Sequence, residues 1–182
     1  MLSRPTLLLA VFSIALVASL AAGGAYVSWE RDHAVKEYDG WHAIAWPFPR
    51  DGWNDGQAWR GHGLDLYIRP KLGLCGNCDT GVVEDSEVDR VTDIDLVDPL
   101  FAPDGEGKKI RITDLVGRMR LYRLRTRKDA KLAEGIAVSY GCDLVVALVV
   151  GDVADEKLRQ TARRFLESNV VQVWLNQQLG ER

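Results

Sequence analysis

Cys75-Gly-Asn-Cys78 is the spacing in this chain that most directly suggests chemistry, and the one other cysteine is Cys142. Two thiols so placed suit a dithiol redox pair, a pair of soft metal ligands, or one half of a structural bridge. A redox pair works through a thiolate, which basic neighbours or a helix N-terminus stabilise. Here the motif runs into the segment Asp79 to Glu106, with ten acidic residues against the single Arg90, and these disfavour a thiolate. The redox reading also wants the pair directly after a strand and at a helix start, inside a βαβ unit. The helix signal in this chain begins several residues too late. As metal ligands, Cys75, Cys78 and Cys142 with His62 make a zinc or copper set, without the second C-x-x-C that would define such a site. The remaining reading is a structural disulfide, Cys75–Cys142 or Cys78–Cys142. It would close a loop of about 65 to 70 residues and contribute about 4 kcal/mol in the chain-entropy model. Spacing leaves the pairing open, and the structural bridge is the leading expectation.

Other residue sets are weaker. His33, His42 and His62 are the only histidines, and none belongs to a nucleophile–base motif. There is no G-x-S-x-G, no H-E-x-x-H and no phosphate-binding glycine loop. We therefore assign no catalytic residue and no cofactor. Asp93-x-Asp95-x-x-Asp98 invites a calcium reading but lacks the central glycine and distal glutamate of an EF-hand loop. Trp46, Trp53 and Trp59 lie in a Pro/Gly-punctuated stretch and could form a stacking surface; the plainer reading has them capping a core edge. Arg123, Arg125 and Arg127 share one face of a strand. They suit anionic lipid headgroups, and equally they protect a sheet edge or lie against the acidic segment before them.

The N-terminus says where such a corner would be found. Arg4 is the only charge before Glu30, and Leu7 to Ala22 is almost wholly apolar. Residues 1–25 read as a signal peptide or a signal anchor. Small residues offer cleavage at Ser19 with Ala21 or Gly23 with Ala25, while residues 7–27 have the length of a membrane tether. Tyr26 and Trp29 would then form an aromatic belt at its outer end. Either route exports the rest, to the periplasm or the periplasm-facing side of the inner membrane, where disulfides persist. The net charge of −3 argues against a nucleic-acid partner.

Residues 26–40 read as a spacer and 41–182 as a single domain, of a size to hold one core. Leu64, Leu66 and Ile68 alternate with Asp65, Tyr67 and Arg69 as a strand does, ending in a turn at Pro70 to Gly73. Ser86-x-x-Asp89 resembles a capping box, and Val88, Val91 and Ile94 form one stripe of a short helix. From Lys108 to Lys131 the sign reverses, with ten basic residues against Asp114 and Asp129. Two strands fall here, with a turn at Val116-Gly117, and the apolar phase shifts between Leu121 and Tyr122 as at a β-bulge. Ala133–Tyr140 and Leu144–Val150 form a hairpin through Gly141-Cys142-Asp143, and the unbroken apolar run is the doubly covered central strand. Asp152 or Asp155 caps a helix with the stripe Leu158, Ala162, Phe165 and Leu166. A break at Ser168-Asn169 follows, then Val171, Trp174, Leu175 and Leu179. The fold class is α+β: an antiparallel sheet of five or six strands covered by the C-terminal helix and the aromatic stretch.

The residues WPFPRDGW, LYIRPKLGLCGNC, TGVVEDSEVDRV and GCDLVVALVV, across 45 to 150, resemble an uncharacterised group of bacterial exported proteins. Members of that group carry a further cysteine near the strand starting at Gly63, where this chain has Arg60-Gly61-His62-Gly63. The resemblance thus implies that one bridge is missing and one cysteine unpaired here. The order of strands, apolar hairpin and closing helix is similar to the Mog1/PsbP-like fold, whose members bind larger assemblies. Together these imply a non-catalytic accessory or binding protein of the cell envelope with an envelope protein as partner. The alternative is a periplasmic thiol oxidoreductase, or a zinc- or copper-binding protein, working through Cys75 and Cys78.

Overall fold

Alternating apolar positions dominate the middle and the end of the chain, and they pair into one sheet. The computed structural model describes residues 36–49, 51–73, 81, 82, 84–125 and 130–180. The expected export segment lies outside them. Among the described residues no helix is long and apolar enough to cross a membrane. Residues 37–182 form one compact unit, which takes the end of the expected spacer into the domain.

The strands are β1 (Glu37–Tyr38), β2 (Trp41–Ile44), β3 (Gln57–Gly61), β4 (Leu64–Lys71), β5 (Phe101–Pro103), β6 (Lys108–Ile112), β7 (Leu115–Arg125), β8 (Ala130–Tyr140) and β9 (Asp143–Gly151). The helices are α1 (Asp85–Val91), α2 (Ile94–Val97), α3 (Glu156–Leu166) and α4 (Asn169–Gly180). Among the described residues all nine strands join one antiparallel sheet in the order β1-β2-β3-β4-β9-β8-β7-β5, with β6 also on β7. The α+β class holds, but the sheet is larger than the expected five or six strands. Part of the excess comes from the aromatic stretch, where Trp41 lies in β2 and Trp59 in β3. The prolines and glycines interrupt only the residues between those strands.

Two antiparallel runs, β1 to β4 and β5 to β9, meet where β4 pairs with β9 from Leu64↔Gly151 to Lys71↔Leu144. The apolar run of β9 is accordingly central, between β4 and β8. Residues of one parity, including Leu64, Leu66, Ile68, Val145, Ala147 and Val149, pack with Ala162, Phe165, Leu166, Val171, Leu175 and Leu179 of α3 and α4. The opposite face carries Leu144, Val146 and Ala137 against Val88 and Val91 of α1. Both faces are therefore covered.

Three expectations are corrected, the first of them by that double coverage. The β7–β8 register runs unbroken from Gly117↔Val138 to Arg125↔Ala130, so no bulge interrupts it at Leu121-Tyr122. The apolar phase shifts because Met119 belongs to the α3/α4 cluster, whereas Tyr122 packs with Ile94 in a cluster of its own. The β6–β7 turn falls between Ile112 and Leu115, ahead of the expected Val116-Gly117. Pro70 does not end β4: β3 stops with Gln57 opposite Ile68, and the strand continues through Pro70 to Lys71 on β9 alone. A proline's missing N–H is tolerated where one side of a strand has no partner.

The capping signals are legible once placed. Asp155 caps α3 by accepting from Lys157 N–H at 2.8 Å. At α1 the reciprocal contact involves Glu84 and Glu87, with Glu84 N–H donating to Glu87 Oε2 at 2.8 Å. Ser86 lies inside the helix, and the expected Ser86/Asp89 box does not form. Phe165 is the hub of the α3 side: its ring lies 4.9 Å from Trp41 and 5.0 Å from Trp59, centroid to centroid. Removing such a ring leaves a cavity the fixed indoles cannot fill. Phe165→Ala is expected to lose about 3–5 kcal/mol of unfolding free energy in urea, whereas Val173→Ala, on the exposed side of α4, stays within about 0.5 kcal/mol.

Candidate functional site

The cysteine corner is defined by what surrounds it. Cys142 occupies the tight β8–β9 turn after Gly141, whose φ of 57° suits a residue without a Cβ. Two backbone donors reach this hairpin from distant sequence. Gly73 N–H donates to Asp143 Oδ1 at 2.6 Å, and Val82 N–H donates to Ser139 Oγ at 2.9 Å. The segment holding Cys75 and Cys78 falls between these two anchors, and both cysteines lie outside the described residues. His62 is far from the corner. It sits in the β3–β4 turn, its Nε2 2.8 Å from the Asp39 carbonyl oxygen. From there the eight residues of β4, at about 3.3 Å each, extend roughly 26 Å towards the Cys142 end. A metal set that combines His62 with Cys142 is ruled out by that length.

A second constellation was not foreseen. Alternation along β4 places Arg69 and Lys71 on the face that carries α1, where side chains of both are almost wholly buried, at 2 % and 4 % exposure. Arg69 Nη1 donates to Asp51 Oδ2 at 2.7 Å and to Asp93 Oδ2 at 3.3 Å. Lys71 Nζ donates to the other oxygen of Asp93. Asp93 reaches them from the break between α1 and α2, at a φ of 56° that aspartate tolerates better than most residues. Trp46 lies under the Arg69 guanidinium at 5.0 Å, and Trp53 under the Lys71 ammonium at 5.5 Å. Phe48 meets Tyr67 edge-on at 4.9 Å. Gly56 makes this possible, because a Cβ there would stand 2.4 Å from the Trp46 ring and 2.2 Å from the Ile68 carbonyl. Next to Arg69 is a cavity of about 10 Å³, edged by Trp46, Phe48, Tyr67, Thr92 and Asp93. Asp51 is held below the usual carboxylate range, chiefly by its hydrogen bond from Arg69.

Further charge pairs cross between the layers. Arg118 Nε donates to Asp85, whose second oxygen accepts from Gly107 N–H at 2.9 Å. Arg120 donates to Asp89 at 2.5 Å, and Tyr122 Oη donates to the same carboxylate at 2.7 Å. Burial pushes the Tyr122 hydroxyl far above its ordinary pKa. On the other face Glu134 is fully buried and accepts from Arg163 at 2.7 Å. Burial raises its pKa while Arg163 opposes the rise.

The expected site residues separate accordingly. Trp46 and Trp53 cover the buried cations. Trp59 is 2 % exposed and belongs to the core, which removes it from any ligand surface. Arg123 is held by Asp104 at 2.7 Å, as expected of a basic strand against the acidic segment. The Arg125 side chain and Arg127 lie outside the described residues. Asp93 is committed to two cations, which contradicts the calcium reading; among the described residues no group of three or more His, Cys, Asp or Glu is arranged to hold a metal. His42 is exposed, with Glu37 at 3.7 Å.

No family model matches the chain, and no curated protein matches it.

Two outcomes follow from these pairs. Asp93→Asn keeps a side chain that accepts the left-handed backbone but removes the charge shared by two buried cations. It should cost about 3–5 kcal/mol in urea unfolding, the usual penalty for an orphaned buried partner. Asp85 is held below its ordinary pKa of 3.8, first by the Gly107 N–H and then by Arg118. Its ionised form thus stabilises the fold fully above 3.8, and that contribution is lost as pH falls through the lower folded-state value. Wild type and Asp85→Asn should keep a constant gap in urea midpoint above about pH 5 and converge in more acid solution.

Proposed function

We propose that the protein is a non-catalytic accessory or binding protein of the cell envelope, exported by its N-terminal segment and held by a structural disulfide between Cys142 and Cys75 or Cys78. The observation that carries this reading is the pair of anchors on the β8–β9 hairpin. Gly73 and Val82, on either side of the cysteine segment, are both tied to residues next to the Cys142 turn. A covalent link in that place adds to ties that already converge, and constraining so long a loop stabilises the folded state by limiting the unfolded one. The paired charges of β7 and α1 also favour a structural use of the basic and acidic segments over binding of nucleic acid. The antiparallel sheet, its apolar β8–β9 hairpin and the closing helix are in keeping with a Mog1/PsbP-like fold, which we propose as its architecture. Placement in the periplasm or on the periplasmic side of the inner membrane, with or without a tether through residues 7–27, follows from the apolar N-terminus. An envelope protein is the proposed partner.

Thiol counting on the denatured protein tests the bridge. One reactive thiol before reduction and three after are expected, with no stoichiometric metal. Three thiols before reduction, or one equivalent of zinc or copper, would overturn the bridge in favour of a redox or metal-carrying Cys75/Cys78 pair. Turnover of a disulfide substrate that disappears in Cys75→Ser or Cys78→Ser would do the same.

A further inference from the structure

Among the described residues the sheet ends in β1, β5 and β6, and only β6 has an edge fit to receive a further strand. β1 has two residues, and β5 has three with a proline, which offers no N–H. β6 has five residues and no proline, and it pairs with β7 alone. Their hairpin closes on Ile112↔Leu115 around Thr113-Asp114, so the turn's hydrogen bond falls on that pair. Along an antiparallel ladder, bonded and non-bonded pairs alternate. Lys109 and Arg111 are therefore the residues whose N–H and C=O point away from β7, to the open side. Ile110 and Ile112, of the other parity, pack on the α3/α4 cluster and hold β6 extended. Little ordering is left for a binding event to impose. The side chains indicate what would bind. Lys108, Lys109 and Arg111 are exposed and have no ion pair among the described residues. The cations of β7 differ, since Arg118, Arg120 and Arg123 each meet a carboxylate. Positive charge on an edge deters pairing with a second copy of that edge. The same charge favours a strand that carries carboxylates.

We propose that β6 is the docking edge for an extended acidic segment of a partner protein, which adds to the sheet through the backbone of Lys109 and Arg111. Carboxylates on alternate residues of the segment meet the Lys109 and Arg111 side chains, and its apolar residues lie on the side of Ile110. Main-chain bonds supply the affinity, and the alternating side chains select the segment. Such docking specifies the partner of the binding protein proposed above and rests on that reading; the cysteine bridge and export play no part in it.

The probe is a labelled, end-blocked peptide of alternating glutamate and valine, about eight residues long. Fluorescence anisotropy with the full folded chain should show saturable binding that salt weakens. An analogue N-methylated at every glutamate keeps the charges but loses the donors of the pairing edge, and it should not bind. On binding the unmodified peptide, the amides of Lys109 and Arg111 should exchange more slowly with solvent. The double variant Lys109→Glu, Arg111→Glu changes two exposed positions, and its affinity should fall about tenfold or more. The comparison with the N-methylated analogue needs no variant and stands whether or not that one folds. Thiol counting and peptide binding are independent measurements, so the bridge and this edge can fail separately. No saturation, equal binding of the N-methylated analogue, unchanged affinity in a folded double variant, or a peptide-free dimer that disappears in that variant would each overturn the proposal.

Discussion

Arg69 and Lys71 set the central constraint. Both lie on β4 beside the middle of the sheet, and both are buried, which is tolerable only when carboxylates meet them. Asp93 meets both at once. To do so the chain must break between α1 and α2, and the positive φ of Asp93 is that break. Asp51 supplies the second carboxylate and brings the aromatic stretch with it. One ionic cluster thus ties the central sheet, the helical layer and the loop between β2 and β3. Desolvation offsets much of the attraction in buried ion pairs of this kind, while removing one partner leaves a costly orphan.

The same arithmetic governs the rest of the α1 face. Asp85 and Asp89 project from the helix towards Arg118 and Arg120 of β7, with Tyr122 completing the row. A helix rich in carboxylates can lie on a sheet only if that sheet offers cations at the right rise. The opposite signs of the two neighbouring segments meet this need. The other face is built on apolar contact, with Phe165 among Trp41 and Trp59, and its one buried carboxylate, Glu134, is answered by Arg163. The cysteine corner stands at the far end of the central strands, where two polar contacts, Gly73 with Asp143 and Val82 with Ser139, gather distant sequence.

Residue patterns went furthest where one period sufficed. The β8–β9 hairpin, the central position of β9, the Asp155 cap, the α3 stripe and the break before Asn169 all follow from local chemistry, and each forms as expected. The failures share a cause. Trp59 was placed in a stretch punctuated by prolines and glycines, yet it lies in the short strand β3, paired with β2 and β4. The phase shift in β7 imitated a bulge because a strand covered on both faces has no single apolar phase. Alternation placed Arg69 on the face opposite Leu64, Leu66 and Ile68, but could not say that this face too is covered. The acidic run following it was a signal of the layer that would cover it.

From the sequence alone came the alternation of β4, the apolar hairpin, the closing helices, and two oppositely charged segments, because each depends on neighbours within a few residues. Only the tertiary structure decided that the nine strands of the described residues join one sheet and that both its faces are covered. It also decided which carboxylate meets which cation. Pairings such as Asp51 with Arg69, or Asp85 with Arg118, depend on where distant backbones come to rest. A charge at a given position says that it needs a partner, and the packing of layers determines which one it finds.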